Sequence, residues 1–305
     1  MLKSKEKFKI KFRGTRGSYP VAKANFLEYG GNTACVEVRC DKQLIILDAG
    51  GGIIDLGLEE FKKLSKFSFR PHLATIFLSH IHQDHIQGLQ FYKPLFSKKS
   101  KIELFGPALK EESLKDTLRK ILFDKVFPLG LDEIRSDFEV SNFSDDNVII
   151  ISQNGKIKTY NKNDFKKNIL KDDIVVTSYK SKTHPKNGCL CIKIEFDKKV
   201  LVYATDIETG FCPENEFIDF IKNCDLLIHD AQYTSSDYTN LKNPKKGFGH
   251  STFEMAIEAK NLSNSKELYF FHYDPEYDDS KLSKIEQNLS DINIHFAKEN
   301  HEIII

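Results

Sequence analysis

Leu78-Ser79-His80-Ile81-His82-Gln83-Asp84-His85-Ile86-Gln87-Gly88 is the most informative stretch of this sequence, because three histidines and one aspartate fall within six residues. The stretch continues an apolar run that begins at Ala74, so a buried strand is expected to end in a turn that carries these side chains. Imidazole nitrogens and carboxylate oxygens that converge from a rigid base are typical ligands of zinc and related ions. Residues two apart in an extended segment point the same way, so His80 and His82 can hold one ion. Asp84 and His85 follow the turn and can face a second ion.

Length and composition predict one globular domain over residues 1–305. Apolar residues make up 40% of the chain and charged residues 29%, which is typical of a packed protein. Lys and Arg number 45 against 44 Asp and Glu, a formal net charge of +1. That balance argues against a broad surface for nucleic acid, although a local cluster such as Lys242 to Lys246 can hold an anionic substrate.

No apolar run approaches the length of a membrane span, and the N-terminal residues 1–7 lack the apolar core of a signal peptide. We therefore expect a cytoplasmic protein with no membrane contact. The six cysteines are then expected to be reduced thiols rather than a disulfide framework. Cys35, Cys189 and Cys191 lie in strand-like stretches and are expected to face the core.

Strands alternate with helices in the first part of the chain, which predicts an α/β fold. Predicted strands cover residues 8–12, 34–39, 44–47, 74–78 and 102–105, and predicted helices cover 53–66, 86–96 and a segment ending near 123. The helix 53–66 is expected to bury Leu56, Leu58, Phe61 and Leu64. Residues 128–173 interrupt this rhythm and predict a small β-rich insertion of antiparallel strands.

From residue 174 onward, each apolar strand ends in a candidate ligand. These are His184, Asp206, the pair His229-Asp230, and His272. One polar residue after a strand is ordinary, but four in succession, in a chain that also carries the 80–85 cluster, indicate one site. His229 points away from Asp230 in an extended segment and is expected to be structural. His250 follows Gly247-Phe248-Gly249 and is expected to lie at the same site.

With these residues in view, the chain resembles the metallo-β-lactamase superfamily, and within it the branch of tRNase Z and the cyclic phosphodiesterases. The resemblance runs from Phe12 to His272. It is carried by Ser79–Gly88, Gly14–Ser18, Tyr29–Thr33, and Asp230 with Gly249–Thr252. It implies an αββα sandwich of two mixed β-sheets flanked by helices, with a dinuclear metal site at one edge.

The resemblance also implies roles for individual residues. His80, His82 and His184 would hold one metal, Asp84, His85 and His272 would hold the other, and Asp206 would bridge both. Asp48 would orient a ligand histidine from beneath the site. Asp84, Asp230 and His250 are the residues expected to take part in catalysis, with His250, kept charged by Asp230, protonating the leaving group. The expected cofactors are two divalent ions, zinc first, with manganese or iron as alternatives.

The resulting expectation is a phosphodiesterase that acts through a hydroxide bridging the two metals. The long arm with which tRNase Z grips tRNA is not evident, and Asp230 stands where glutamate is usual. We therefore expect a small or cyclic nucleotide-type phosphodiester as the substrate in preference to nucleic acid, with a homodimer as one possible assembly. A thioesterase or lactonase on the same metals is the alternative enzyme, and a metal-dependent ligand sensor is the non-catalytic alternative.

Overall fold

Two β-sheets packed face to face, with helices on both outer surfaces, form the body of the protein. The structure is a computed structural model that describes residues 8–66, 71–166, 169–210 and 214–305. This arrangement confirms the expected αββα sandwich of two mixed sheets.

The strands of the described residues, in chain order, are β1 (Phe8–Gly14), β2 (Cys35–Cys40), β3 (Gln43–Leu47), β4 (His72–Phe77), β5 (Ser100–Gly106), β6 (Asp137–Asn142), β7 (Asn147–Ile151), β8 (Ile157–Asn161), β9 (Ile174–Ser181), β10 (Cys189–Phe196), β11 (Lys199–Ala204), β12 (Leu226–Asp230), β13 (Glu267–Phe271), β14 (Ile294–Phe296) and β15 (Glu302–Ile304). The first sheet has the order β15-β1-β2-β3-β4-β5-β6, and the second has the order β14-β13-β12-β11-β10-β9-β7-β8. Strands β3 to β6 run parallel, as do β11 to β14, so their carboxyl ends collect at one edge of each sheet.

The helices of the described residues are α1 (Ile53–Lys66), α2 (Gln83–Ile86), α3 (Leu114–Leu122), α4 (Asn215–Ile221), α5 (Ser235–Tyr238), α6 (Phe253–Ser263) and α7 (Asp279–Gln287). Helices α1 and α3 pack on the outer face of the first sheet. Helices α4, α6 and α7 pack on the outer face of the second.

Strand β3 shows why the chain folds into four layers. Its residues are apolar almost throughout, as expected for a strand covered on both faces. Ile45 and Leu47 point into the core between the two sheets, whereas Leu44 and Ile46 point toward α1 and α3. Alternation along one strand thus supplies two apolar layers, and the second sheet does the same with its own helices.

The helix predicted over 86–96 is wrong. The chain forms the short α2 and then two separate 3₁₀ turns, Leu89–Phe91 and Lys93–Phe96. The helix is interrupted at Tyr92, whose ψ of 97° is extended, and Pro94 cannot donate a helical hydrogen bond.

The description of residues 128–173 as antiparallel strands is also partly wrong. Strand β6 pairs parallel with β5 and forms the edge of the first sheet, so β5, α3 and β6 make an ordinary parallel unit. Strands β7 and β8 do pair antiparallel, but they extend the second sheet. The segment therefore passes from one sheet to the other.

Smaller expectations had mixed outcomes. Leu56 and Leu64 of α1 are buried, but Leu58 is only half-buried and Phe61 is 37% exposed, because the inner face of this helix is completed by Ile53 and Glu60 instead. The thiols of Cys35, Cys189 and Cys191 are free and buried, as expected. Cys212 lies outside the described residues. Among the helices that the structure describes, none has the length and apolar character needed to span a lipid bilayer.

Candidate metal centre and active site

All seven predicted metal ligands meet at one edge of the sandwich. His80, His82, Asp84 and His85 come from the turn after β4, at the carboxyl end of the first sheet. The other three follow strands of the second sheet, with His184 after β9, Asp206 after β11 and His272 after β13. Their ligand atoms form overlapping groups, within each of which the atoms lie no more than 4.8 Å apart.

The first group consists of His80, His82 and His184. The Nε2 atom of His184 is 2.9 Å from Nδ1 of His82, and Nδ1 of His184 lies 3.2 Å from the Gly249 carbonyl oxygen. When Nδ1 of His184 donates its hydrogen to this carbonyl, Nε2 carries the free lone pair, which is directed toward His80 and His82. Burial lowers the pKa of all three imidazoles, which favours the neutral form that binds metals.

The second group consists of Asp84, His85 and His272. The Nε2 atoms of the two histidines are 3.1 Å apart, and Nε2 of His272 is 3.2 Å from Oδ2 of Asp84. The backbone N–H of Ser18 donates to the same oxygen at 2.7 Å. Gly17 lies against the His272 ring, where a Cβ would be 2.4 Å from a ring carbon. The glycine-rich loop after β1 therefore supports this group directly.

Asp206 lies between the two groups and faces each with a different oxygen. Its Oδ1 is 3.6 Å from Nε2 of His80 and 3.7 Å from Nε2 of His184. Its Oδ2 is 3.1 Å from Nε2 of His85 and 3.3 Å from Nε2 of His272. Burial opposes ionisation, but the surrounding imidazoles hold the pKa of Asp206 well below its usual value. This is the placement that a bridging carboxylate requires.

Asp48 supports the site from beneath, as the sequence led us to expect. Its Oδ2 lies 2.8 Å from Nδ1 of His85, and the same oxygen accepts from the Ser79 and Tyr203 hydroxyls, each at 2.8 Å. The Ser79 hydroxyl, having donated to Asp48, can accept from Nδ1 of His80 at 3.1 Å. Both His80 and His85 are thereby fixed with Nε2 toward the site.

The residues present fit a pair of divalent cations. The Nε2 atom of His80 is buried and has no hydrogen-bond partner, although a buried imidazole nitrogen normally has one. The Nε2 atoms of His85 and His272 also face each other beside the carboxylates of Asp84 and Asp206, so nitrogen donors and negative charge converge where a cation can bind. Nitrogen and oxygen donors in this mixture suit zinc, manganese or iron. The individual ligand assignments remain predictions.

Asp230 and His250 form a second constellation beside the metal ligands. Oδ2 of Asp230 is 2.8 Å from Nδ1 of His250 and accepts from the Asp206 backbone N–H at 3.0 Å. Burial alone would lower the pKa of His250, but the carboxylates of Asp230 and Asp206 outweigh it, and that pKa is raised. His229 is buried and lies beside Phe217 of α4, away from the site, as expected of a structural residue.

Sequence reasoning missed Glu208, which fixes the loop that carries His250. Its carboxylate accepts from the backbone N–H groups of Gly247 and Gly249 and from the Tyr238 hydroxyl. Glu208 stands two residues after Asp206, but no local pattern shows that it would reach a loop some forty residues later. Tyr203 was missed for a similar reason, since a strand tyrosine is usually a core residue.

Three site residues have left-handed backbone conformations. The φ angle is 59° at Asp48, 53° at Asp206 and 65° at His272. Side chains other than glycine seldom adopt such angles, and clusters of them are typical of functional sites. Each residue stands where the chain turns sharply off the end of a strand.

Comparison with known proteins agrees with this geometry. A model of the β-lactamase superfamily domain matches residues 44–273. A ribonuclease Z of Picrophilus torridus is 27% identical over 297 residues, covering 90% of this chain and 88% of the relative. The short form of human tRNase Z superposes with a TM-score of 0.58 at 19% identity and covers 97% of this chain and 99% of its own. A diphosphatase of the PhnP family superposes with a TM-score of 0.63 at 14% identity and covers 98% of both chains.

The relatives overturn one expectation from the sequence. The ribonucleases Z that match over most of the chain act on RNA, so the preference for a small phosphodiester over nucleic acid is wrong. That preference rested on the missing long arm and on Asp230 in place of glutamate, and neither feature excludes RNA. The balanced net charge does not exclude it either, because net charge is a sum over the whole surface. A total of +1 is compatible with a local excess of lysine beside the site.

The family match covers more than half of the chain, and this family binds divalent metals through histidine and aspartate clusters of the kind found here. The sequence had left a metal-dependent sensor open as an alternative, but the relatives are hydrolases. The chain therefore belongs to the β-lactamase superfamily domain family, as a metal-dependent hydrolase of the phosphodiesterase type in the tRNase Z branch.

Proposed function

We propose that this protein is a ribonuclease that hydrolyses phosphodiester bonds in RNA with the help of two zinc ions. The observation that carries the proposal is the position of Asp206, whose two oxygens face two separate sets of ligand atoms next to the Asp230–His250 pair. Two cation positions next to a proton donor are what diester cleavage needs.

The ligands divide between the two positions as their distances suggest. His80, His82 and His184 would hold one ion, Asp84, His85 and His272 the other, and Asp206 would contact both. When bound, the ions neutralise the phosphate charge and lower the pKa of the attacking water. Histidine-rich sets favour zinc over magnesium or calcium, with manganese or iron as the alternatives.

His250 would protonate the departing oxygen. Its Nδ1 is occupied by Asp230 at 2.8 Å, so Nε2 is the nitrogen left to serve the substrate. Asp230 also accepts from the backbone N–H groups of Gln232 and Ser251 and is therefore held in place. A ribose alkoxide is a poor leaving group, so a positioned acid is valuable in RNA cleavage.

The choice of RNA as substrate rests on the relatives, which are ribonucleases, and one of the similar structures is a tRNase. The structure is compatible with a large substrate because the site is at the edge of the sandwich and His82 is less buried than His80 and His184. A tRNA is the first substrate to test.

The direct test uses zinc-loaded protein with a labelled tRNA transcript and an unstructured RNA of equal length. We expect cleavage that a chelator abolishes and zinc restores, and about two zinc ions per chain by elemental analysis. A p-nitrophenyl phosphodiester should be cleaved faster than the corresponding monoester, a thioester or a lactone. Hydrolysis of the thioester or lactone in preference to any diester would overturn the proposal.

A further inference from the structure

A cleft lined by lysines opens directly beside the first group of metal ligands. It has a volume of about 480 Å³, and its walls include His80, Ile81, Pro107, Leu109 and Asn187. Four lysines complete the lining, namely Lys110, Lys180, Lys182 and Lys186. His80 therefore belongs both to the metal site and to this cleft, so the two spaces adjoin.

The charge of the cleft is uncompensated among the residues that the structure describes. All four lysines are exposed, and none forms an ion pair with a described carboxylate. No aspartate or glutamate is part of the described lining. Elsewhere, surface lysines such as Lys120 and Lys298 do pair with glutamates. A concave surface with one sign of charge attracts anions of the opposite sign.

The spacing of the lysines suits a chain of phosphates. Lys180 is the penultimate residue of β9 and Lys182 follows its end, with the buried Ser181 between them. Residues two apart in an extended segment lie about 6.6 Å apart on one face. Lys110 comes from a different part of the chain, the loop after β5 of the first sheet. Several positive charges from two sheets therefore line one cleft, which suits a chain of phosphates better than a single anion.

The rest of the lining indicates what kind of contact this is. Among the described lining residues, His80 is the only one with an aromatic ring, and it already belongs to the candidate metal site, so these residues offer unpaired bases no stacking platform. The loop that carries His250 differs, because it presents Phe248, 50% exposed, with Lys245 Nζ 5.8 Å from its ring centroid. An exposed ring can stack with a base, whereas the described lining of the cleft offers charges that suit a sugar-phosphate backbone.

We propose that this lysine cleft binds the backbone of a single-stranded RNA segment on one side of the scissile phosphate, without regard to sequence. The inference rests on the proposed ribonuclease function and adds to it the path of the substrate away from the metals. The cleft would also give this protein a means of binding RNA that does not require a long arm.

The test compares the unaltered protein with the triple variant Lys110→Gln/Lys180→Gln/Lys182→Gln. Lys186 is left unchanged because its φ of 69° is left-handed, so a substitution there would alter backbone strain as well as charge. Single-turnover cleavage of a labelled single-stranded RNA at increasing protein concentration gives the half-saturation point, and fluorescence anisotropy of the same RNA gives Kd independently. The variant should raise Kd about tenfold or more, and the slope of log Kd against log salt should flatten by roughly two, at about 0.7 per lost contact.

The matched control is Lys42→Gln/Lys171→Gln/Lys222→Gln. These three lysines are also exposed. They precede β3, β9 and β12, respectively, and the site follows the other end of each of these strands. The control should leave Kd and the salt slope unchanged. If the triple variant does not fold, Lys180→Gln alone should raise Kd in the same direction.

The outcomes separate this inference from the proposed function. If the triple variant and the unaltered protein reach half-saturation at the same concentration, the lysine cleft is overturned and the ribonuclease function stands. The same conclusion follows if the control variant loses as much RNA affinity as the triple variant. Lysine-dependent binding of an RNA that is never cleaved would support the cleft and overturn the ribonuclease.

Discussion

The turn after β4 and the strand ends of the second sheet build the two halves of the site in different ways. In the first sheet, four of the seven candidate ligands lie within six consecutive residues, from His80 to His85. In the second sheet, His184, Asp206 and His272 come from three strands and span almost ninety residues of sequence. One half is assembled by local chain geometry, and the other by the order of strands in a sheet.

This difference predicts where the site is vulnerable. A local turn keeps its shape as long as its strand is intact, and Asp48 secures His80 and His85 from one point. The half built from the second sheet relies on contacts between distant segments. Examples are the contact of Gly249 with His184 and that of Glu208 with the backbone of Gly249. Changes in the second half should therefore propagate further than changes in the first.

The largest effect is expected for Asp206→Asn, which keeps the shape of the side chain and a residue type that tolerates left-handed φ. Because each oxygen faces one group, both cation positions should weaken together. We expect elemental analysis to fall from two zinc ions toward none and activity to fall more than about 10³-fold, since several kcal/mol of charge stabilisation is lost.

His82→Ala, which changes a candidate ligand of the turn after β4, is the comparison for Asp206→Asn. It should remove mainly the one ion that His82 would hold. Asp219→Ala, an exposed acid on α4, should change neither metal content nor rate. An Asp206→Asn protein that retains two tightly bound ions would show that Asp206 does not bridge.

The next effect concerns His250→Ala and depends on the substrate. A proton donor matters in proportion to how poorly the leaving group departs without one. RNA cleavage should fall about 10² to 10⁴-fold, the usual contribution of a general acid, whereas cleavage of a p-nitrophenyl diester should fall far less. Equal losses on both substrates, with metal content intact, would mean that His250 positions phosphate instead.

A smaller effect should separate two glycines of the same loop, Gly249 and Gly247. Both have positive φ, 90° and 86°, so alanine strains the backbone equally at each. A Cβ at Gly249 would lie 2.4 Å from Nδ1 of His184, whereas at Gly247 it would meet nothing within 4 Å. We expect Gly249→Ala to reduce zinc affinity and activity about 10 to 100-fold, the usual effect of disturbing the support of a ligand.

Gly247→Ala should show only the backbone penalty, about 1 to 3 kcal/mol of unfolding free energy, without loss of zinc. Isothermal titration with zinc and urea unfolding measure the two quantities. Similar zinc affinities in both variants would indicate that the loop does not hold His184.

The smallest effect compares the two ends of β12, which has Asp230 at the site and Asp225 just before its first residue. Asp225 accepts from Lys199 at 3.1 Å, Lys266 at 2.8 Å and the Val200 backbone N–H at 2.9 Å. Both lysines are solvent-exposed, so Asp225→Asn should cost only about 1 kcal/mol of unfolding free energy and leave catalysis unaltered.

The pH dependence of that difference has a definite sign. Burial opposes ionisation of Asp225, but Lys266 and the Val200 N–H outweigh it and lower its pKa. A depressed carboxyl pKa stabilises the fold above the unfolded value, about 3.9, and that stabilisation is lost as the pH falls below it. Urea unfolding should therefore show a constant difference from pH 5 to 7 that closes below about pH 4. A difference that grows in acid would contradict this assignment.

The sequence predicted what local spacing can encode. The ligand turn and the strands that end in His184, Asp206 and His272 follow from residue patterns, whereas the support by Asp48 was implied by the family resemblance. The parallel pairing of β6 and the reach of Glu208 depend on which segments meet in space, and no local pattern records that. The lysine cleft was missed for the same reason, because its residues come from three separate parts of the chain.

The left-handed backbones of Asp48, Asp206 and His272 have a consequence for protein engineering. Each holds about 1 to 3 kcal/mol of conformational energy that glycine would release. A library selected for heat resistance alone should therefore accumulate glycine or asparagine at these three positions and lose hydrolysis as it gains melting temperature. Selection that demands both properties should instead find its stabilising changes at the opposite ends of the same strands, where Lys42, Lys199 and Glu267 lie.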